Sequence, residues 1–154
     1  MTDALAGRYE RIQRQLTELF AGYAQGLDAT ARMASIVALL HHKMPHFSWT
    51  GFYRWTGEDL VVGPYQGPLA CAVLARGRGV CLRCVESGRA VVVDDVHAFE
   101  GHIACDARSR SEVVVPVRHE GRLVAVLDVD ATRPAAFTST DAEGLEAIAA
   151  LVHG

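Results

Sequence analysis

The sequence predicts an α+β fold, in which helices at both ends of the chain flank a central antiparallel sheet of about six strands. The first observation is a helical spacing of apolar residues before residue 43 and after residue 138. The second is a series of short Val-rich or aromatic segments between residues 47 and 130, separated by Gly and Pro. We expect residues 1–154 to form a single domain, with the N- and C-terminal helices packed on one face of the sheet.

Composition and charge exclude several classes of function. Half of the residues are hydrophobic and 21% are charged, which is typical of a globular protein. The net charge of −3 gives no electrostatic reason to expect nucleic acid or an anionic membrane as a partner. The apolar runs are too short to span a bilayer, and the first ten residues do not resemble a signal peptide. We therefore expect a cytoplasmic protein.

Three helical patterns frame the sheet. The first, over residues 3–23, has an apolar stripe that could pack on its own domain or on a second copy, and a homodimer is the expected state. The second begins after the capping residue Asp28 and runs to about His42. Thr140 and Glu143 have the spacing of a capping box for the third, which runs to about His153. The predicted core residues of the first two helices are Leu5, Tyr9, Ile12, Leu16, Leu19, Phe20, Tyr23, Met33, Ile36, Val37 and Leu40.

The strands follow from β-branched and aromatic runs bounded by turn residues. A short helix, closed by Gly88, is predicted within the series at residues 80–88. The six predicted strands are 47–55, 60–62, 69–75, 90–93, 113–117 and 123–130.

Three acidic residues can share one face of the last two strands. Asp128 and Asp130 are two residues apart, so both carboxylates point to the same side. A two-residue hairpin loop would pair Glu112 with Val129 and turn its side chain away. A three-residue loop would pair Glu112 with Asp128 and join the three acids, and the valine pattern favours this register. Such a cluster suits a cationic ligand or a shared proton, although a solvated acidic face is the simpler alternative.

The four cysteines Cys71, Cys81, Cys84 and Cys105 lie within 35 residues. In a reducing compartment, such clustering favours redox chemistry or metal binding over structural disulfides. Cys81 is predicted in the first turn of the short helix, where the helix dipole would lower its pKa. Cys105 lies in a long irregular segment, residues 97–106, with His102 nearby, and we interpret that segment as an active-site loop. A zinc site formed by Cys81, Cys84, Cys105 and His102 is an alternative.

An aromatic pair could line the same site. Trp49 and Tyr53 are four residues apart on one predicted strand, and therefore lie on one face. Core packing explains such a pair without any function. The other explanation is a wall that contacts a sulfur-bound methyl group, because contacts between sulfur and aromatic rings are favourable.

The sequence resembles those of the free methionine-(R)-sulfoxide reductases, which have a GAF fold. The resemblance is carried by HAFEGHIACDARSRSEVVVP, GPYQGPLAC, RGRGVC and LDVD, and it covers nearly the whole chain. The cysteine spacings of the family match Cys71, Cys81 and Cys105. The substrate-site residues of the family fall on Trp49, Glu112, Asp128 and Asp130, and we expect Tyr53 to line the same site.

The resemblance implies a thiol mechanism without a metal or cofactor. Cys105 would attack the sulfoxide sulfur and become a sulfenic acid, and Cys71 would condense with it to a disulfide. Cys81 would be a further exchanging thiol, and thioredoxin would restore the reduced enzyme. The acidic residues would hold the free ammonium group, and Trp49 would cover the methyl group. Cys84 is an additional thiol that the family pattern does not contain. A GAF module that senses redox state or a small ligand, without turnover, is the alternative function.

Overall fold

The computed structural model describes residues 2–74, 79–101 and 107–154, and in them a six-stranded sheet carries helices on both faces. Every pair of neighbouring strands is antiparallel, in the order β3-β2-β1-β6-β5-β4. The α+β prediction is confirmed. The elements are α1 (Thr2–Ala21), α2 (Ala29–Lys43), β1 (Trp49–Trp55), β2 (Leu60–Gln66), β3 (Val73–Leu74), α3 (Val80–Ser87), β4 (Val91–Val93), a 3₁₀ turn (Val96–Ala98), β5 (Ser111–His119), β6 (Arg122–Ala131) and α4 (Ser139–Ala149).

The terminal helices share the main hydrophobic core with one face of the sheet, as predicted. The apolar faces of α1, α2 and α4 pack in one cluster with alternate residues of β5 and β6. The ring of Tyr9 lies against Gly144, where no Cβ would fit, and its hydroxyl donates a 2.6 Å hydrogen bond to Asp141. Helix α3 lies on the opposite face, in a second cluster that includes Trp49 and Tyr53.

Two details of the helices differ from prediction. Helix α1 ends at Ala21, and two residues of its predicted stripe, Leu19 and Tyr23, are 44% and 53% exposed. The capping box uses Thr138 and Asp141, not Thr140 and Glu143. The backbone of Thr138 donates to Asp141, whose other carboxylate oxygen accepts from Tyr9. The buried partner on α1 therefore accounts for this choice of cap.

Strand β2 is longer than predicted because a bulge accommodates a proline. Gly51 pairs with Tyr65 while Tyr53 pairs with Val62, so Gly63 and Pro64 together face a single residue of β1. Proline is tolerated at such a bulge because no ladder hydrogen bond is required of it. The strand predicted at 69–75 is reduced to Val73–Leu74 in the described residues, and β4 is an edge strand with an exposed central valine.

The β5–β6 hairpin has a register that neither sequence alternative described. Glu120 and Gly121 form a two-residue turn with φ values of 51° and 79°. Val117 pairs with Ala125 whereas Arg118 pairs with Leu123, which leaves one extra residue on β6 as a bulge. The prediction of a three-residue loop is therefore wrong. The bulge nevertheless puts Glu112 on the same face as the two aspartates, as the three-residue loop would have done, because it places Glu112 opposite Asp130 rather than Val129.

Candidate active site

Five of the predicted site residues lie on the sheet face that α3 covers. Trp49 and Glu112 each pair with Asp130, and Asp128 pairs with Gly51. Directly paired residues of antiparallel strands point to the same side, so the three acids and Trp49 share a face. Tyr53 is four residues from Trp49 on the same side of β1 and belongs to the same cluster.

The three acids form a hydrogen-bonded cluster in which burial favours the protonated form of Glu112. Burial raises the pKa of Glu112 well above its ordinary value of 4.5, and Asp128 and Asp130 raise it further through charge and hydrogen bonding. Hydrogen bonds that raise a carboxyl pKa stabilise its protonated form, so the aspartate oxygens act as acceptors for the single proton of Glu112. Burial also raises the pKa of Asp128, while its hydrogen bonds to Glu112 and Cys81 act in the opposite direction.

Cys81 lies beside this cluster as a buried thiol rather than an activated thiolate. It is in the first turn of α3, where the helix dipole favours an anion by about 0.3–1 kcal/mol. Burial nevertheless raises its pKa well above 9.0, and the charges of Asp128 and Glu112 raise it further. The predicted lowering of its pKa is therefore wrong, because burial and two facing acids outweigh the dipole. Cys84 is also a buried thiol, whose pKa burial raises to about 12.

An aromatic stack forms the wall next to the acids. The Trp49 ring is stacked between Tyr53 and Tyr65, at centroid distances of 5.6 and 5.2 Å. The indole NH of Trp49 donates a 3.1 Å hydrogen bond to the carbonyl of Pro68, which fixes the ring edge. The sequence interpretation missed Tyr65 because it lies between Gly-Pro pairs that indicate a loop. The aromatic residue itself, within a passage between two strands, was the available signal.

Gly51 allows the Trp49 ring to lie across β1. A Cβ atom at this position would be 2.5 Å from Cη2 of Trp49 and closer still to Cβ of Tyr65. Both neighbours are held by the stack, so neither could move without disturbing it. The absence of a side chain at Gly51 is thus a condition for the aromatic wall.

We expect Gly51→Ala to displace the Trp49 ring and to destabilise the fold by about 1–3 kcal/mol, the usual cost of overpacking. Near-ultraviolet circular dichroism should show a loss of the aromatic signal, and denaturant unfolding should give the energy. Gly63→Ala is the matched control on the neighbouring strand, since its Cβ would meet no atom closer than 3.4 Å. Equal effects of the two substitutions would contradict this role of Gly51.

The cysteines of the predicted redox pair are only partly described. Cys71 is half-buried and disulfide-bonded, and its carbonyl accepts a 3.3 Å hydrogen bond from the hydroxyl of Tyr53. Cys105 and His102 lie outside the described residues. The zinc alternative gains no support from its two described members. In the part of the chain that is described, the donor group that comes together is Cys81, Glu112 and Asp128, without Cys84.

The raised pKa of Glu112 predicts a pH dependence of stability. Folding strengthens proton binding by Glu112. The stabilisation that this gives to the folded protein is fully present below pH 4.5 and is lost as the pH rises through the folded-state pKa. We expect the free energy of unfolding to fall above about pH 5, by up to about 1.4 kcal/mol for each pH unit. Glu112→Gln cannot ionise and should flatten this slope, as measured by denaturant unfolding at several pH values. Glu120→Gln, whose side chain is 84% exposed, should retain the slope.

Comparisons with known proteins identify the family of this chain. The GAF domain family matches residues 15–153. The free methionine-R-sulfoxide reductase of Escherichia coli (strain K12) is 39% identical over 92% of this chain and 84% of that protein. The enzyme of the same name from Saccharomyces cerevisiae is 31% identical over 94% of this chain and 85% of that protein.

A solved structure has a similar fold. The X-ray structure of free methionine-R-sulfoxide reductase from Neisseria meningitidis, in complex with its substrate, has a TM-score of 0.89 and 39% identity. The match covers 96% of this chain and 87% of the Neisseria chain.

In the described residues, no helix has the length and apolar character that a membrane span needs.

Proposed function

Because the chain belongs to the GAF domain family and to its free methionine-R-sulfoxide reductases, we propose that it reduces free L-methionine-(R)-sulfoxide to L-methionine. The observation that carries the proposal is the position of the buried acid cluster beside the Trp49 stack, on one face of the central strands. A zwitterionic amino acid with a sulfur-bound methyl group matches both halves of this site. The ammonium group requires the acids, and the methyl group suits the aromatic wall.

The acid cluster accounts for a preference for the free amino acid. Asp128 and Glu112 are buried, and leaving buried acids unpaired is unfavourable. An α-ammonium group would neutralise the cluster, whereas the amide nitrogen of peptide-bound methionine sulfoxide is neutral and would not. Discrimination against the peptide therefore comes from the polar groups that it would leave unpaired.

The cluster also has a proton to supply at the sulfoxide oxygen. Burial and the neighbouring Asp128 raise the pKa of Glu112, which favours the protonated carboxyl group that a general acid requires. Protonation of the sulfoxide oxygen makes the sulfur more electrophilic, so that a thiolate can attack it. The S–O bond of the substrate then breaks, the cysteine takes the oxygen as a sulfenic acid, and methionine leaves as the thioether. Glu112 is therefore the proposed general acid, with Asp128 and Asp130 as binding residues.

The proposed thiol cycle begins at Cys105, the nucleophile that takes the oxygen as a sulfenic acid. The thiol of Cys71 then attacks this sulfur, releasing water and forming a disulfide between the two residues. The disulfide bonding of Cys71 supports its part in the cycle. Thioredoxin is the proposed reductant, which donates two electrons by thiol–disulfide exchange.

Cys81 has two possible roles in this cycle. The family pattern suggests a further exchanging thiol. Its burial and its hydrogen bond to Asp128 favour a positioning role in the reduced enzyme. We propose that the thiol orients Asp128 during substrate binding, and that any exchange at Cys81 follows a local opening of α3.

The proposed assembly is a homodimer in the cytoplasm. An open apolar groove of about 530 Å³ between α1 and α2 supports the homodimer, since the apolar side chains of Leu19 and Leu39 line it. A second copy could cover this surface. The groove lies away from the acid cluster, so dimer formation would leave the site accessible.

The proposed function is tested by a thioredoxin-coupled assay that follows NADPH oxidation. The substrates are the separate R and S epimers of methionine sulfoxide, each free and within a peptide. Turnover confined to the free R epimer supports the proposal. Binding of the free R epimer without turnover would instead indicate a ligand-sensing GAF domain.

A further inference from the structure

One sulfur and two carboxylate groups come within mutual reach on the α3 side of the sheet. The Sγ atom of Cys81 and one carboxylate oxygen each of Glu112 and Asp128 lie within 4.8 Å of one another. The side chains come from three different elements, and their exposed fractions are 4%, 6% and 5%. Donor atoms around a tetrahedral ion are roughly 3.5 Å apart, so modest side-chain rotations would close the group around a cation.

A second observation indicates that this group has unused binding capacity. The Oδ1 atom of Asp128 is buried and has no hydrogen-bond partner among the described residues. The hydrogen bonds that Asp128 does make go to Cys81 and Glu112, the other two donors. Buried polar atoms are satisfied in most proteins, so this oxygen is available to a ligand that completes the site.

We propose that Cys81, Glu112 and Asp128 form a binding site for a thiophilic divalent cation such as Zn²⁺. Binding would displace the thiol proton of Cys81 and the carboxyl proton of Glu112 into solvent. The three anionic ligands would then offset the two charges of the cation, and a water molecule could take the fourth position. With three protein ligands the site is of the open type, not a closed structural site.

The ligand set selects the kind of cation. A thiolate is a soft ligand that Zn²⁺ and Co²⁺ accept, whereas Mg²⁺ prefers oxygen ligands and retains its water molecules. The site also uses Cys81 without Cys84, although both thiols are buried on the same helix. This difference between the two cysteines provides a matched control.

The cation would exclude the substrate. Glu112 and Asp128 are the acids assigned above to the ammonium group and to proton transfer, so a cation bound to them would occupy the same place. Inhibition competitive with free methionine sulfoxide is expected, as a consequence that rests on the proposed function. Cation binding itself does not depend on that function and is measured separately.

Cation binding is tested by equilibrium dialysis with ZnCl₂ and by titration with CoCl₂, without reductant so that Cys71 remains in its disulfide. We expect one equivalent of Zn²⁺ to bind, no comparable binding of MgCl₂, and a thiolate-to-Co²⁺ charge-transfer absorption. Cys81→Ser should abolish this absorption, and Asp128→Asn should weaken Zn²⁺ affinity more than about tenfold. Cys84→Ala should leave both unchanged, and circular dichroism confirms that each variant is folded.

Different results would contradict the cation site and the proposed function. Absence of Zn²⁺ binding, or binding that Cys81→Ser leaves unchanged, would overturn the cation site. If Zn²⁺ binds as expected but no methionine sulfoxide is turned over, the site stands and the proposed function fails. If turnover is present, an increase in apparent KM at constant kcat supports the shared location, and inhibition that substrate does not relieve overturns it.

Discussion

Replacement of Cys105 by serine is expected to reduce turnover of free methionine-(R)-sulfoxide by about 10³-fold or more, the scale seen when a covalent nucleophile is removed. A hydroxyl is far less nucleophilic than a thiolate at neutral pH and cannot form a sulfenic acid. The measurement is the thioredoxin-coupled rate at saturating substrate. Cys105 lies outside the described residues, so this prediction rests on the sequence and on the chemistry of the cycle.

Two further cysteine variants make the result specific. Cys84→Ala removes a buried thiol outside the proposed cycle and should retain most of the activity, apart from a modest loss of stability. Cys71→Ser should retain the first chemical step, so that one equivalent of methionine is released per enzyme before turnover stops. Near-normal turnover in Cys105→Ser, or a complete loss of the single turnover in Cys71→Ser, would contradict the assigned order of the two cysteines.

The sheet and the acid face were predictable because both depend on a period of two. Asp128 and Asp130 share a face in any strand, and hydrophobic alternation placed Glu112 on the same side even though the predicted loop was wrong. The predicted and observed pairings of Glu112 differ by two residues, which preserves the face. The wrong prediction of the loop length therefore did not change which acidic residues share a face.

Features that depend on bulges and on burial could not be predicted in the same way. The bulge opposite Phe52 brings Tyr65 beside Gly51, but the Gly63-Pro64 pair that forms it indicates a loop as readily as a bulge. The pKa of Cys81 is determined by burial and by two acids from β5 and β6, more than 30 residues away in the chain. A local argument from the helix dipole could not include residues that are so distant in the chain.

A second large effect is expected from Asp128→Asn. The substitution keeps the shape of the side chain but removes its charge from the proposed ammonium site. Loss of one partner from a buried charge pair costs about 2–5 kcal/mol, and each 1.4 kcal/mol is tenfold, so kcat/KM for the free substrate should fall at least about 30-fold. The stability of the folded protein should not fall with it, because burial already makes the charged form of Asp128 unfavourable.

The combination of these two outcomes separates a binding role from a structural one. Most substitutions that impair activity through misfolding lower both quantities, whereas Asp128→Asn should lower kcat/KM while the denaturation midpoint is kept or raised. Discrimination between free and N-acetylated methionine sulfoxide should also narrow, since an asparagine no longer requires a cationic partner. Glu120→Gln, on the exposed β5–β6 turn, is the control for removal of a carboxylate. If kcat/KM stays within twofold of the unsubstituted enzyme, the acid cluster does not bind the ammonium group, and the free-substrate preference would need another origin.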